Sequence, residues 1–145
     1  MFFMKRALKF LFPGSPSEAF PSLLILFLRI AFGLLFFSHG IAKMSEFDIL
    51  ITSFPDPLGV GKTLSLSLVI FAEVFCSVAF IAGALFRLCL IPMIFTMAMA
   101  FFVIHGNEPF AVKETAMMYL LLFILLFVTG PGKYSVDAMI RRAIV

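Results

Sequence analysis

Apolar residues run without any regular polar alternation along four segments of this chain, at about 22–43, 63–85, 88–105 and 110–129. A helix rises about 1.5 Å per residue, so roughly 20 apolar residues cross a hydrocarbon core, and each segment is long enough. A membrane barrel would need shorter strands with every second residue polar, a period that these Leu, Ile, Phe and Met runs lack. The pattern predicts an all-α membrane protein, a single four-transmembrane-helix bundle over residues 22–129 with an interfacial amphipathic helix at each end.

Residues 1–16 mix Lys5, Arg6 and Lys9 with Phe2, Phe3, Leu8, Phe10, Leu11 and Phe12. This is the pattern of a basic amphipathic helix lying on a lipid surface. The long apolar run begins only after Pro13, Gly14 and Pro16, with no small-residue cleavage site before polar sequence, so the segment is read as an uncleaved anchor rather than a signal peptide. At the other end Gly130, Pro131 and Gly132 stop the fourth helix. Ser135 and Asp137 then suit the capped start of a short helix in an interfacial tail, 130–145. Its Met139, Ile140, Ile144 and Val145 would rest on lipid and its Arg141 and Arg142 would face headgroups.

The termini and the loop between spans two and three carry Lys5, Arg6, Lys9, Arg87, Lys133, Arg141 and Arg142, against Lys43, Lys62 and Lys113 on the opposite side. Positive charge stays inside, which makes both termini cytoplasmic. Composition agrees with a membrane protein: 63% of residues are hydrophobic, 13% are charged and the mean hydropathy is +1.16. A net charge of +3 calls for no nucleic acid.

Against this background charged residues inside the spans need an explanation. A charge at bilayer depth costs about 3 kcal/mol on insertion scales, so Arg29 in span one and Glu73 in span two are expected to be accommodated within the protein. Arg29, Gly33, Phe36, Gly40 and Lys43 lie along one line of span one, a helix-contact face on which the glycines allow close backbone approach. Span two answers with Ala72, Cys76, Ala79 and Gly83 beside the face of Glu73. If Lys43 is level with Thr63, Arg29 lies about 21 Å and Glu73 about 15 Å below the outer end, within an arginine's reach. A buried Arg29–Glu73 ion pair is expected, serving either helix register or function.

A second polar group gathers near the outer ends: His39, Lys43, His105, Lys113 and Glu114, with Tyr119 deeper in span four. His39 and Glu114 are expected to point into the bundle, and Lys113 and His105 to be solvated at the interface. His39, Lys43, Glu114 and Tyr119 together could contact a polar ligand head; a metal on His39, His105 and Glu114 is the weaker alternative, because spacing alone does not make them converge. Cys76 and Cys89 differ in expected depth by roughly 10 Å and are read as small packing residues. Gly59 to Thr63 ends like a phosphate-binding loop but lacks its first glycine, Asp56 standing there. No haem, flavin or metal motif is present.

Several of these residues, in order, match a known pattern. Arg29, Gly33, His39, Gly40 and Lys43, then Glu73, Gly83 and Arg87, then Lys113 and Glu114, and finally Gly130, Pro131, Gly132, Ser135 and Asp137 resemble the DoxX family of small four-helix bacterial membrane proteins. The resemblance covers roughly residues 23–137. It implies a multi-pass protein of the bacterial inner membrane, a small subunit of a quinone-linked oxidoreductase complex, with a bound quinone or a partner subunit as electron carrier. The expected surroundings are membrane lipid and either other redox-complex subunits or further copies of the chain. The alternatives are a non-catalytic membrane scaffold that docks soluble redox or oxidative-stress enzymes, and a small transporter, for which four short helices leave little aqueous room.

Overall fold

Four helices in the computed structural model have the length and hydropathy to cross a membrane: Ala19–Ser45, Lys62–Ala82, Phe86–Ile104 and Phe110–Thr129. The structure describes residues 19–144, so the expected amino-terminal amphipathic segment lies outside the described residues. Span one is α1 (Ala19–Ser45), and α2 (Phe47–Leu50) follows it. Span two comprises α3 (Lys62–Ile70), a π-helical turn (Phe71–Phe75) and α4 (Cys76–Ala82). Span three is α5 (Phe86–Ala98) continued by a second π-helical segment (Met99–Ile104); span four is α6 (Phe110–Thr129), and α7 (Val136–Ile144) closes the described chain.

Span two ends three residues before the expected position because Gly83 takes a left-handed conformation, φ +70°, and Leu85 follows at φ +46°. That tight turn lets span three begin at Phe86, two residues early. The helix after span four forms as anticipated, with Ser135 Oγ accepting the Ala138 N–H at 3.1 Å. Asp137 does not cap its own helix. Its carboxylate instead accepts the N–H groups of Leu85 and Phe86 at 2.8 and 2.9 Å, capping span three from a distance.

Span two is the centre of the bundle: half of its most apolar window is buried, against 17–28% in the other spans. Span one packs along it, span three packs on its lower half, and span four packs on span three. Phe36, Phe80, Phe86, Leu90, Met93, Tyr119 and Phe123 form the main core. Outside it Phe27, Phe75, Leu88, Leu121 and Val128 stand exposed, an apolar surface suited to acyl chains. Ends of helices on the side of Ser22 and Lys133 are called basal below, and the opposite ends distal.

Two glycines set the register of spans one and two. A Cβ on Gly40 would meet Val74 Cγ2 at 2.6 Å and Glu73 Cβ at 2.8 Å, and one on Gly33 would run into Ile81 and Phe80. Gly40 therefore lies on Glu73, and Gly33 on the end of α4. Compared with the register that places Lys43 level with Thr63, span two is displaced distally by about two turns, roughly 11 Å. The connection between the spans makes room for this. It climbs beside α3, and Phe47, Leu50, Ile51 and Phe54 cover Leu66, Ile70 and Val74 in a second apolar cluster.

Candidate functional site

Glu73 sits in the π-helical turn of span two, 3% exposed, and the Gly40 backbone passes directly over its Cβ. One turn distal to Gly40, Lys43 reaches across, its Nζ donating to Glu73 Oε2 at 2.7 Å and Oε1 at 3.0 Å. The pair closes one side of a cavity of about 510 Å3 in the distal half of the bundle. Phe54, Pro55, Pro57 and Leu58 cover it, Leu68, Val69 and Phe71 form one wall, and Phe95, Thr96, Met97, Met99 and Ala100 form the other. Each π-helical segment contributes to a wall, a common position for such irregularities. The arrangement is an apolar chamber with a charged, hydrogen-bonding floor, the chemistry of a site for an amphiphile with a small polar head.

The expected Arg29–Glu73 pair does not form. The two-turn displacement brings Arg29 level with Gly83, where its guanidinium binds four backbone carbonyls: Phe80 through Nε at 3.1 Å, Pro131 and Tyr134 through Nη1 at 2.9 and 2.8 Å, and Ile81 through Nη2 at 2.6 Å. Two of these carbonyls lie in the last turn of α4 and two in the chain leaving α6. Cations suit helix carboxyl ends, where unpaired carbonyls concentrate negative potential. Arg29 thus joins spans one, two and the exit of span four, and it is 1% exposed. Arg87 acts similarly on α6, donating to Phe127 and Val128 carbonyls.

Of the other expected ligand contacts, none but Lys43 lines the cavity. Tyr119 is 7% exposed in an aromatic cluster, 5.2 Å from Phe36 and 5.7 Å from Phe123 between ring centres. His39 lies off the buried line of span one; it is exposed, its ring edge-on to Tyr119 at 6.2 Å. Glu114 does not point inward. It lies roughly 140° around α6 from Tyr119, which heads the buried stripe, and is exposed. Lys113 folds back onto the Gly106 carbonyl at 2.9 Å. Among the described residues no three His, Cys, Asp or Glu side chains gather as a metal site, so His39, His105 and Glu114 do not converge. Cys76 and Cys89 are buried and form no disulfide; the Cys89 thiol donates to the Phe86 carbonyl.

The sequence reading missed two elements of this site. His105, expected at the interface, borders the cavity with Nδ1 3.1 Å from Glu108 Oε2. The cover is tied down by Asp56, which accepts the Ser65 hydroxyl at 2.7 Å and the N–H groups of Gly61 and Val60 at 2.8 and 3.1 Å. These bonds, led by that of Ser65, hold the Asp56 carboxyl below the ordinary carboxylate range.

The DoxX family model matches residues 24–106, spans one to three, and stops before Lys113. An uncharacterized protein of Haemophilus influenzae is 30% identical over 127 residues, covering 83% of this chain and 92% of its own length. No solved structure matches.

Proposed function

This chain belongs to the DoxX family of membrane proteins, and on that basis we propose that it is a bacterial inner-membrane subunit of a quinone-linked redox assembly that holds a quinone in the distal cavity. The cavity of about 510 Å3, ending on Lys43 and Glu73, carries this proposal. Its volume falls within the range of about 300–1,000 Å3 typical of small-molecule sites. Phe71 and Leu68 line it and are about half exposed, which gives an apolar molecule a route in from lipid.

A quinone supplies reversible two-electron, two-proton chemistry when bound. The chain provides the polar end of such a site. Lys43 Nζ is placed to donate a hydrogen bond to a carbonyl oxygen, and Glu73 to accept one from a hydroxyl, so the pair distinguishes the oxidised from the reduced head by which partner it engages. Apolar walls shield the ring of the head from water, and the prenyl chain would continue past Leu68 and Phe71 into lipid. Electrons would come from a partner subunit. The basal end, with Arg87, Lys133, Arg141 and Arg142, faces the cytoplasm in this proposal.

The test is extraction of gently solubilised protein followed by mass spectrometry, together with titration of a short-chain benzoquinone. Close to one quinone per chain, or saturable uptake of the added analogue, is expected. Protein that carries none and takes up none would instead be a scaffold.

A further inference from the structure

A second cleft, of about 720 Å3, opens at the basal end between Ser22, the start of α5, the exit of α6 and α7. Arg87, Lys133, Arg141 and Arg142 line it, and Asp137 is the acid among them. Both carboxylate oxygens of Asp137 are already engaged by the N–H groups of Leu85 and Phe86. Among the described residues no ion pair neutralises the four cations. Arg87 uses Nε and Nη2 on the carbonyls of α6, and Arg142 uses Nη2 on the Lys133 carbonyl at 3.1 Å. Their remaining N–H groups, with those of Arg141 and the Lys133 ammonium, make no hydrogen bond among the described residues.

The shape of α7 indicates what neutralises them. Ala138 is buried at 3%, while Met139, Ile140 and Ile144 are 66%, 51% and 80% exposed, so the helix presents an apolar face beside a cationic cleft. In a four-span membrane protein such a helix lies at the headgroup level, apolar face toward acyl chains. A soluble anion would satisfy only the cleft; an anionic amphiphile satisfies the cleft and the adjacent apolar face together. We propose that this cleft is a specific site for one anionic phospholipid, its phosphodiester held by Arg141, Arg142 and Lys133 with Arg87 behind them. Guanidinium forks match phosphate oxygens in geometry as well as charge. The occupied site would brace α7 against the start of span three and the exit of span four, the same junction that Asp137 and Arg29 tie from within.

Native mass spectrometry of the delipidated full chain with dioleoylphosphatidylglycerol or dioleoylphosphatidylcholine tests this. One phosphatidylglycerol per chain is expected to be retained in preference to phosphatidylcholine. In Arg141→Gln/Arg142→Gln retention should fall roughly twenty-five-fold, taking about fivefold for each cation near an anionic surface. Equal retention of the two lipids overturns the site, as does unchanged retention in the double variant. Displacement of the lipid by low concentrations of inorganic phosphate would show a free-phosphate site and overturn the lipid assignment. If the double variant does not fold, the wild-type comparison of the two lipids decides.

Discussion

Lys43 and Glu73 form a two-point ion pair, Nζ to Oε2 at 2.7 Å and to Oε1 at 3.0 Å, across the contact that Gly40 makes possible. Glu73 is almost fully enclosed and Lys43 is 28% exposed at its side chain, so loss of the cation strands a buried carboxylate while loss of the acid leaves a lysine that can still reach the interface. Lys43→Met is therefore expected to destabilise the bundle by about 3 kcal/mol, the low end for a broken buried pair because Lys43 is partly solvated. Glu73→Gln should cost less, and the double variant less than the sum. A denaturation cycle in detergent measures this; additive costs would mean that the two side chains are not coupled.

Arg29 is a different kind of buried charge, satisfied by four carbonyls and no acid side chain. Lysine keeps the charge but its single nitrogen cannot span the positions of Nε, Nη1 and Nη2, so Arg29→Lys leaves part of the set formed by the Ile81, Pro131 and Tyr134 carbonyls without its donor, while Phe80 keeps the Gly83 N–H. A loss of about 3 kcal/mol is expected. Hydrogen exchange should quicken at the basal junction before the distal half. Uniform exchange across the bundle would contradict this division.

Gly40→Ala would force its methyl against Val74 Cγ2, a side chain, and against the Glu73 carbonyl carbon at 3.0 Å, which is backbone. Destabilisation of about 1–3 kcal/mol is expected, with the Lys43–Glu73 pair disturbed at the same time. Adding Val74→Ala should recover only part of it, since the backbone contact remains. Full recovery would show that the side chain alone sets the limit.

The four spans, their order and the contact face of span one could be derived from residue patterning, because a 3.6-residue period and a 20-residue apolar length are local properties. Arg29, Gly33, Phe36 and Gly40, grouped by angle alone, are the buried residues of α1. The partners of those residues were not legible. Register between helices depends on which side chains seat on Gly33 and Gly40, and on how far residues 47–54 climb beside α3, neither of which has a periodic signature. A two-turn shift was enough to replace Arg29 by Lys43 as the partner of Glu73. The π-helical turns and the distant cap from Asp137 likewise arise from tertiary contacts.

The loop over the cavity has its own pH dependence. Folding lowers the Asp56 carboxyl below its unfolded value of about 3.9, through the Ser65 hydroxyl first and the Gly61 N–H next. Its contribution is complete above that value and is lost as pH falls through the depressed folded value. Proteolysis within residues 54–61 should thus rise in acid, below about pH 4. Asp56→Asn should show faster cleavage at neutral pH and little further change. Acid-insensitive cleavage in the wild type would contradict this role.

The most direct measurement of the proposed binding site fills the cavity from its wall without touching its charged floor. Val69→Trp projects a large ring into the chamber from a half-buried position on α3, and Glu114→Gln serves as a control on the outside of α6. With wild type and both variants purified identically and equilibrated with a short-chain benzoquinone, wild type and Glu114→Gln should retain it, whereas Val69→Trp should lose at least roughly tenfold in affinity with its unfolding midpoint preserved. Equal retention by all three, or loss in Glu114→Gln alone, would place the quinone elsewhere or nowhere on this chain.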